Sequence, residues 1–243
     1  MQDQILNLFS KYELKARIFP ALLAIAPFGL TILIWYPELI NLESSAITLL
    51  VLVIILFSLA KVAREKGKKK QNALLKKWGG FPSTTLLKHD DNTINENTKQ
   101  RYHNYLNKNV PGIQLPSKEE ELNDSSSTNS TYESAVHWLL EKTRDTKKFP
   151  LLYEDNINYG FSRNMLGIKP IGIIFTFVSL GINILGVYQQ YAFTLNDLPL
   201  KIWISLIITI FFILLWVFFV KEEWVKSASY AYARTLLSTC EDK

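Results

Sequence analysis

The stretch "IWISLIITIFFILLWVFFV", residues 202–220, runs for nineteen residues without a charged side chain. A helix that crosses about 30 Å of hydrocarbon needs about 20 predominantly apolar residues. The stretch satisfies this requirement and is apolar on every side, so we expect it to face lipid. It predicts a membrane-spanning helix and places the chain among membrane proteins.

Three further stretches have the same character. They are residues 18–36, 46–60 and 170–188, and none of them contains a charged residue. The stretch at 46–60 is the shortest, but Lys61 beyond it can extend its amine to the headgroups while its methylenes stay in the membrane. The fold class expected is mainly α, a polytopic membrane protein whose four spans form two helical hairpins.

The distribution of Lys and Arg predicts the orientation of these spans. The link at 37–45 contains neither residue, and the link at 189–201 contains only Lys201. Since basic residues collect on the cytoplasmic side, both short links are expected outside and both termini inside. The flank of the first span carries Asp3 and Glu13, and no small-residue cleavage site follows, which argues against a cleaved signal peptide.

This topology divides the chain into four parts. Residues 1–60 form the N-terminal segment and first hairpin, 61–169 a small and mostly helical cytoplasmic module, 170–220 the second hairpin, and 221–243 a cytoplasmic C-terminal helix. Within the module, helices are predicted over 97–108 and 131–147, the latter with Ser130 and Glu133 as a capping box. The segment near 111–130, rich in Pro, Glu and Ser, is predicted to be a mobile loop.

A basic helix is predicted to continue from the second span over residues 61–78, with eight Lys or Arg against one Glu. Such a cluster beside a bilayer attracts the anionic lipids of the inner leaflet. The residues expected at the headgroups are Lys66, Lys68, Lys69, Lys70, Lys76 and Lys77. A nucleic-acid role ranks lower, because proximity to the membrane already accounts for the charge.

The segment "WGGFPSTTLLKHDD", residues 78–91, allows two interpretations. Gly79 can end the basic helix in the left-handed conformation, which makes the segment a hinge into the module. Alternatively, His89-Asp90-Asp91 and His103 could belong to a metal-dependent hydrolase. The chain has only three His and one Cys, which do not make a complete catalytic set. We therefore predict no catalytic residue, metal or cofactor, and favour the hinge.

Polar and aromatic residues of the module near the membrane are the candidates for ligand binding. Arg101 and Arg163 would suit an anion. The predicted set is Thr84, Thr85, His89, Arg101, His103, Tyr159, Arg163 and Asn164.

The absence of charged residues within the spans argues against a pump or an ion-coupled transporter, which usually needs ionisable groups in the bilayer. Asn183 is the one strongly polar residue in a span, with Gly181 and Gly186 nearby. Small residues allow helices to approach closely, and an Asn can hydrogen-bond across the contact. The three residues are therefore predicted to pack helices, either within one chain or between copies.

Three motifs carry a resemblance to a known group of proteins. "WGGFPSTTLLKH", "KQRYHNYL" and "NYGFSRNMLGIKP", with the flanking spans, resemble an uncharacterised family of bacterial four-span inner-membrane proteins. The resemblance covers residues 76–170 and the spans around them. It implies a multi-pass protein of the bacterial inner membrane and no established activity.

The function expected is that of a non-enzymatic membrane effector or scaffold. Its module would sense a ligand or a cytoplasmic protein partner, and its spans would form a homo-oligomer and perturb the membrane. Small multi-span proteins of this architecture recur as effectors in bacterial antiviral defence, which is an analogy of architecture only. The alternative is a membrane-bound hydrolase that uses the His89-Asp90-Asp91 segment.

Overall fold

The computed structural model describes residues 10–40, 45–123 and 125–241, and the described part is mainly α-helical. Residues 1–9 and 41–44, from the N-terminal segment and the first predicted outer link, lie outside it. The helices are α1 (Phe19–Trp35), α2 (Ser45–Trp78), α3 (Pro82–Thr85), α4 (Glu96–Asn109), α5 (Lys118–Asn123), α6 (Ser125–Lys142), α7 (Pro150–Tyr191), α8 (Leu200–Leu214) and α9 (Glu222–Ser238). A π-helical turn, Glu13–Ile18, precedes α1, and another, Leu215–Phe219, follows α8.

The chain divides into two compact units. The apolar unit comprises Met1–Gln71 and Gly160–Val225, and the polar unit comprises Asn72–Tyr159 and Lys226–Lys243. The first segment of the polar unit, Asn72–Tyr159, lies inside the predicted cytoplasmic module 61–169. The C-terminal segment, predicted as a separate part, contributes most of its residues to the polar unit.

Three helical stretches among the described residues are long and apolar enough to cross a membrane. They are Glu13–Trp35, Pro150–Tyr191 and Leu200–Phe219. The expected span at 46–60 lies within α2, where the side chains of residues 45–49 and 52 lie outside the described part. The helical class of the prediction is confirmed, and apolar helices compatible with a membrane protein are present.

Helix α8 buries one face, although its sequence is apolar on every side. Its buried residues are Ile202, Ser205, Thr209 and Phe212, and the spacing of three and four continues to the buried Trp216 in the π-helical turn that follows. Trp216 packs against Gly172 of α7, where a Cβ atom would overlap the indole ring. The expectation that this segment faces lipid on every side is therefore wrong for one face. That face carries the hydroxyls of Ser205 and Thr209 and the contact between Trp216 and Gly172.

Asn183 of α7 connects three helices of the apolar unit. Its side-chain oxygen accepts a hydrogen bond from Trp35 Nε1 of α1 at 2.9 Å. Its Nδ2 lies 3.3 Å from Thr209 Oγ1 of α8, 3.4 Å from Thr31 Oγ1 of α1 and 3.0 Å from the backbone oxygen of Ser179. Asn183 is fully buried. Because a polar group in hydrocarbon needs partners, these bonds fix how the three helices face each other.

The glycines of α2 and α7 allow a close contact between these helices. A Cβ atom on Gly167 would overlap the backbone of Gly67, and one on Gly67 would lie 2.5 Å from Asn164 Oδ1. Asn164 is fully buried and donates to the carbonyl of Ala16 at 2.6 Å. Gly67 and Gly167 therefore mark a crossing of two backbones. Helix α7 continues through Gly167 without a break.

The core of the polar unit is built from short helices and the end of α9. Its fully buried large side chains are Leu86, Leu87, Leu106, Tyr132, Leu139, Leu236 and Leu237. Leu236 and Leu237 come from α9, so the C-terminal helix completes this core. Cys240 is also buried there, and burial raises the pKa of its thiol to about 12.

The predicted mobile loop near 111–130 contains helices α5 and the beginning of α6. The loop prediction is wrong for these residues because a capping box was missed. Ser117 N donates to Glu120 Oε2 at 2.7 Å, and Glu120 N donates to Ser117 Oγ at 3.3 Å. The box predicted at Ser130 and Glu133 is also wrong, since Ser130 lies inside α6. Helix α6 begins at Ser125 and ends at Lys142 rather than near 147.

The contact between Gly67 and Gly167 leads to a testable prediction. Gly167→Ala should lower the apparent melting temperature in detergent, because forced overpacking costs about 1–3 kcal/mol. Gly29→Ala in α1 is the matched control, since nothing lies within 4 Å of a Cβ atom at Gly29. Equal melting temperatures for the two variants, measured by circular dichroism, would contradict the close crossing.

Candidate functional site

The segment from Trp78 to Asp91 leaves α2 through a helix-ending turn. Gly79 has a φ of +80°, and Gly80 N donates to the carbonyl of Leu75 at 2.9 Å. This is the pattern of a helix that ends at a left-handed glycine. Pro82 then begins the four-residue helix α3. The predicted end of the helix at Gly79 is confirmed, the segment lies within the polar unit, and its role as a hinge stays a prediction.

Three side chains hold the chain that follows α3 by donating to backbone carbonyls. His103 Nε2 donates to Leu87 O at 2.7 Å, and His89 Nε2 donates to Pro116 O at 3.0 Å. The Nζ of the buried Lys99 donates to the carbonyls of Lys88 and Asp91. Because a carbonyl oxygen only accepts, both histidines carry their proton on Nε2.

His89 and His103 also contact each other and the carboxylate of Glu121. Their rings pack edge to face with centroids 5.0 Å apart. Glu121 Oε2 accepts from His89 N at 3.0 Å and from the hydroxyl of Tyr132 at 2.9 Å. This network joins α4, α5 and α6 to the segment 87–91 and places the half-buried His89 beside the buried His103.

The Asp pair beside His89 does not complete a metal site. Asp91 Oδ1 accepts from Thr93 N at 2.8 Å and its Oδ2 accepts from Thr93 Oγ1 at 3.1 Å, which is a local turn. Asp90 is exposed. No group of three His, Cys, Asp or Glu suited to a metal ion occurs in residues 10–40, 45–123 and 125–241. His89 bonds to the carbonyl of Pro116 and the carboxylate of Glu121, and both contacts connect parts of the polar unit.

The two arginines proposed for an anion have other partners. Arg101 Nε donates to Glu241 Oε1 at 2.6 Å, in an exposed ion pair of the polar unit. Arg163 belongs to the apolar unit, where its Nη1 donates to Gln71 Oε1 at 2.6 Å. Asn164 faces Ala16 and Gly67 in that unit. The ligand-binding role of Arg163 and Asn164 stays a prediction, while their contacts are those of helix packing.

The six lysines predicted at the headgroups are all exposed on α2. They are Lys66, Lys68, Lys69, Lys70, Lys76 and Lys77. The buried side of the same helix carries Ala60, Ala63, Gly67 and Leu74. The helix therefore separates a packed small-residue face from a basic face, and binding of anionic lipid stays a prediction.

The helix-packing residues of α7 face different environments. Asn183 bonds to Trp35 Nε1 as described, and a Cβ atom on Gly186 would lie 2.6 Å from the Trp35 ring. Both residues therefore lie at contacts within one chain. Nothing lies within 4 Å of a Cβ atom at Gly181.

Two of the predicted ligand-binding residues, Thr84 and Tyr159, line one cavity of the polar unit. The cavity has a volume of about 280 Å³. Its walls come from α3, α6, the start of α7 and α9, and include Phe81, Val136 and Tyr232. The rings of Tyr159 and Tyr232 are nearly parallel, at 15°, with centroids 6.3 Å apart. Thr85 lies on the other side of α3, where its Oγ1 donates to Pro82 O at 3.3 Å.

Sequence reasoning missed most of this cavity. Ser229, Tyr232 and Ala233 share one face of α9, and Glu133 and His137 are one turn apart on α6. The spacing of three and four residues could have grouped each set. It gives no indication that α9 packs against α6, because that contact is made by residues far apart in the sequence.

Burial changes the ionisation of two groups in the network. Loss of solvent lowers the pKa of the His103 imidazole, and the nearby positive charge of Lys99 acts in the same direction. Loss of solvent also raises the pKa of the Tyr132 hydroxyl, and its hydrogen bond to Glu121 adds to the effect. Both shifts favour the neutral form of the group.

Comparison of the chain with protein-family models, with curated proteins and with solved structures finds no match. The functional argument consequently depends on the residues and their contacts.

The lowered pKa of His103 predicts how stability changes with pH. The unfolded chain binds a proton near pH 6.5, while folded His103 binds it only at lower pH. The contribution of His103 is therefore fully present above about pH 6.5 and is lost as the pH falls through the folded-state pKa. His103→Gln, whose amide can still donate to Leu87 O, should show a smaller loss of melting temperature between about pH 7.5 and 5.5.

His137→Gln is the control, because His137 is an exposed histidine on α6. It should keep the wild-type difference in melting temperature between the two pH values. A His103→Gln variant with the full wild-type pH dependence would contradict a neutral, buried His103.

Proposed function

We propose that the chain is a non-enzymatic membrane effector or scaffold of the bacterial inner membrane whose polar unit binds a ligand or partner. The observation that carries the proposal is the convergence of Thr84 and Tyr159, two residues predicted to bind ligand, on one cavity. Cavities lined by apolar walls with a few polar groups are the usual form of ligand sites. The engagement of His89, His103 and Lys99 with backbone carbonyls supports binding over hydrolysis.

The membrane part of the proposal has four spans, with the polar unit on the cytoplasmic side. The three long apolar helices and the scarcity of Lys and Arg at 37–45 and 189–201 support it. So do the exposed apolar side chains of α2 ahead of its basic half, among them Leu50, Ile54 and Phe57. Exposed apolar side chains on several sides of a helix suit contact with lipid.

The basic face of α2 holds the polar unit at the inner leaflet in this proposal. The exposure of its lysines supports it, because each basic residue near an anionic surface contributes about 1 kcal/mol. The spans self-associate through the side of α7 that carries Gly181, where the described chain leaves space beside the helix. A ligand or a cytoplasmic partner controls that assembly, and assembly perturbs the membrane.

Single cysteines test the topology. The test uses three exposed positions, each changed singly in a Cys240→Ser background: Ser10→Cys, Ser134→Cys and Thr194→Cys. With four spans, an impermeant thiol reagent on intact cells should label only Thr194→Cys, and lysis should expose the other two.

Ser10→Cys is the position that distinguishes four spans from three. If α2 did not cross the membrane, residues 10 and 134 would lie on opposite sides. Labelling of either Ser10→Cys or Ser134→Cys on intact cells would therefore contradict the four-span proposal.

Self-association has its own test on α7. Gly181→Leu should shift the detergent-solubilised protein toward monomer, because the larger side chain prevents close approach. Asn183→Leu should first lower the melting temperature, because it leaves Trp35 Nε1 without its acceptor at a cost of about 1–3 kcal/mol. The measurement is the mass from light scattering after subtraction of the detergent. A wild-type monomer, or a Gly181→Leu oligomer of unchanged mass, would remove self-association from the proposal.

A further inference from the structure

Three hydroxyl groups open onto the cavity of the polar unit. They belong to Ser83 and Thr84 of α3 and to Ser229 of α9, whose exposed fractions are 8%, 5% and 2%. Within the described part of the chain, no hydrogen bond joins any of these three hydroxyls to another residue. A hydroxyl that faces a cavity bonds to water or to a ligand that displaces the water.

The walls of the cavity favour a flat molecule. Tyr159 and Tyr232 present nearly parallel rings, and Phe81 adds a third ring at the mouth. Aromatic faces bind planar groups by offset stacking and attract cations through the charge distribution of the ring. The volume, about 280 Å³, is at the small end of the range for ligand sites, which run from roughly 300 Å³ upward.

The charges at the cavity exclude an anion. Glu133 and His137 lie at the exposed mouth, and the described lining residues include no Lys or Arg. A negatively charged ligand would meet the carboxylate of Glu133 and would lose its hydration without a fixed cation as a partner. A positively charged group would be attracted by that carboxylate instead.

We propose that this cavity binds a small planar molecule that carries hydrogen-bonding groups and is uncharged or cationic. The hydroxyls of Ser83, Thr84 and Ser229 bond to its polar edge, the tyrosine rings contact its face, and Glu133 attracts a positive group at the mouth. This inference rests on the proposed binding function and adds the ligand class and the groups that select it.

Three probes that share the indole ring system and differ in net charge test the ligand class. Indole is uncharged, tryptamine is cationic and indole-3-acetate is anionic, and each can be titrated by calorimetry against the full-length protein in detergent. Tryptamine should bind most tightly, indole next, and indole-3-acetate at least about tenfold more weakly than indole. Lack of heat with both indole and tryptamine at millimolar concentration would mean that water alone satisfies the hydroxyls, and would overturn the inference.

Variants locate the binding. Ser229→Leu should fill the cavity and abolish binding of both probes, whereas Ser227→Leu, at an exposed position of the same helix, should leave it unchanged. Ser229→Ala removes only the hydroxyl and should weaken indole binding about fivefold. Its smaller side chain keeps the test valid if Ser229→Leu fails to fold. Full binding by a folded Ser229→Leu, or by Ser229→Ala, would overturn the inference.

A substitution that removes the charge of Glu133 tests whether its carboxylate attracts a cationic ligand. Glu133→Gln should weaken tryptamine about fivefold and leave indole unchanged, and Glu141→Gln, elsewhere on α6, should affect neither. Equal binding of tryptamine and indole-3-acetate to the wild type would overturn the charge selection. Failure of these probes is distinct from failure of the proposed topology and self-association, which the cysteine labelling and the mass measurement test without any ligand.

Discussion

The polar unit depends on the donation of side-chain N–H groups into the backbone carbonyls between Leu87 and Asp91. Buried backbone carbonyls need partners, and this segment has left the helix that would have supplied them. His103 and Lys99, both from α4, provide the donors, and His89 ties the same segment to Pro116. The segment that looks most like a catalytic centre in the sequence is consequently a structural junction, and the cavity lies along α3, which precedes it.

The apolar unit solves the same problem in a different medium. Its apolar helices are compatible with a membrane, where water is scarce, and the amide of Asn183 has its partners on α1, α8 and its own helix, which orients three apolar helices. Elsewhere two helix backbones touch directly because Gly167 and Gly67 have no side chain between them. Directional bonds at one place and close backbone contact at another explain how helices with nearly uniform apolar surfaces pack in one way. The proposed function requires such defined packing, because only an ordered set of spans can change state when a ligand binds.

The sequence predicted what depends on local patterns and composition. The end of α2 at Gly79, the helix at 96–109 and the apolar helices follow from turn chemistry and hydropathy. The sequence predicted less well where the partner is distant. Asn183 could be assigned to packing, but not to Trp35, and Ser229 could not be placed opposite Ser83. The sequence predicted a loop near 111–130 instead of helices because its polar composition outweighed the capping pair Ser117 and Glu120.

The central claim is that His89 and His103 are structural donors, and the protonation of their rings tests it most directly. The chain has three histidines, so selective ¹⁵N-histidine labelling gives three resolvable side chains by long-range ¹H–¹⁵N NMR. Both rings should carry a proton on Nε2, His103 should be neutral at neutral pH, and added Zn²⁺ should leave the signals of both rings unchanged. Protonation on Nδ1, or a common shift of both rings on addition of Zn²⁺, would contradict it and favour a metal-binding site.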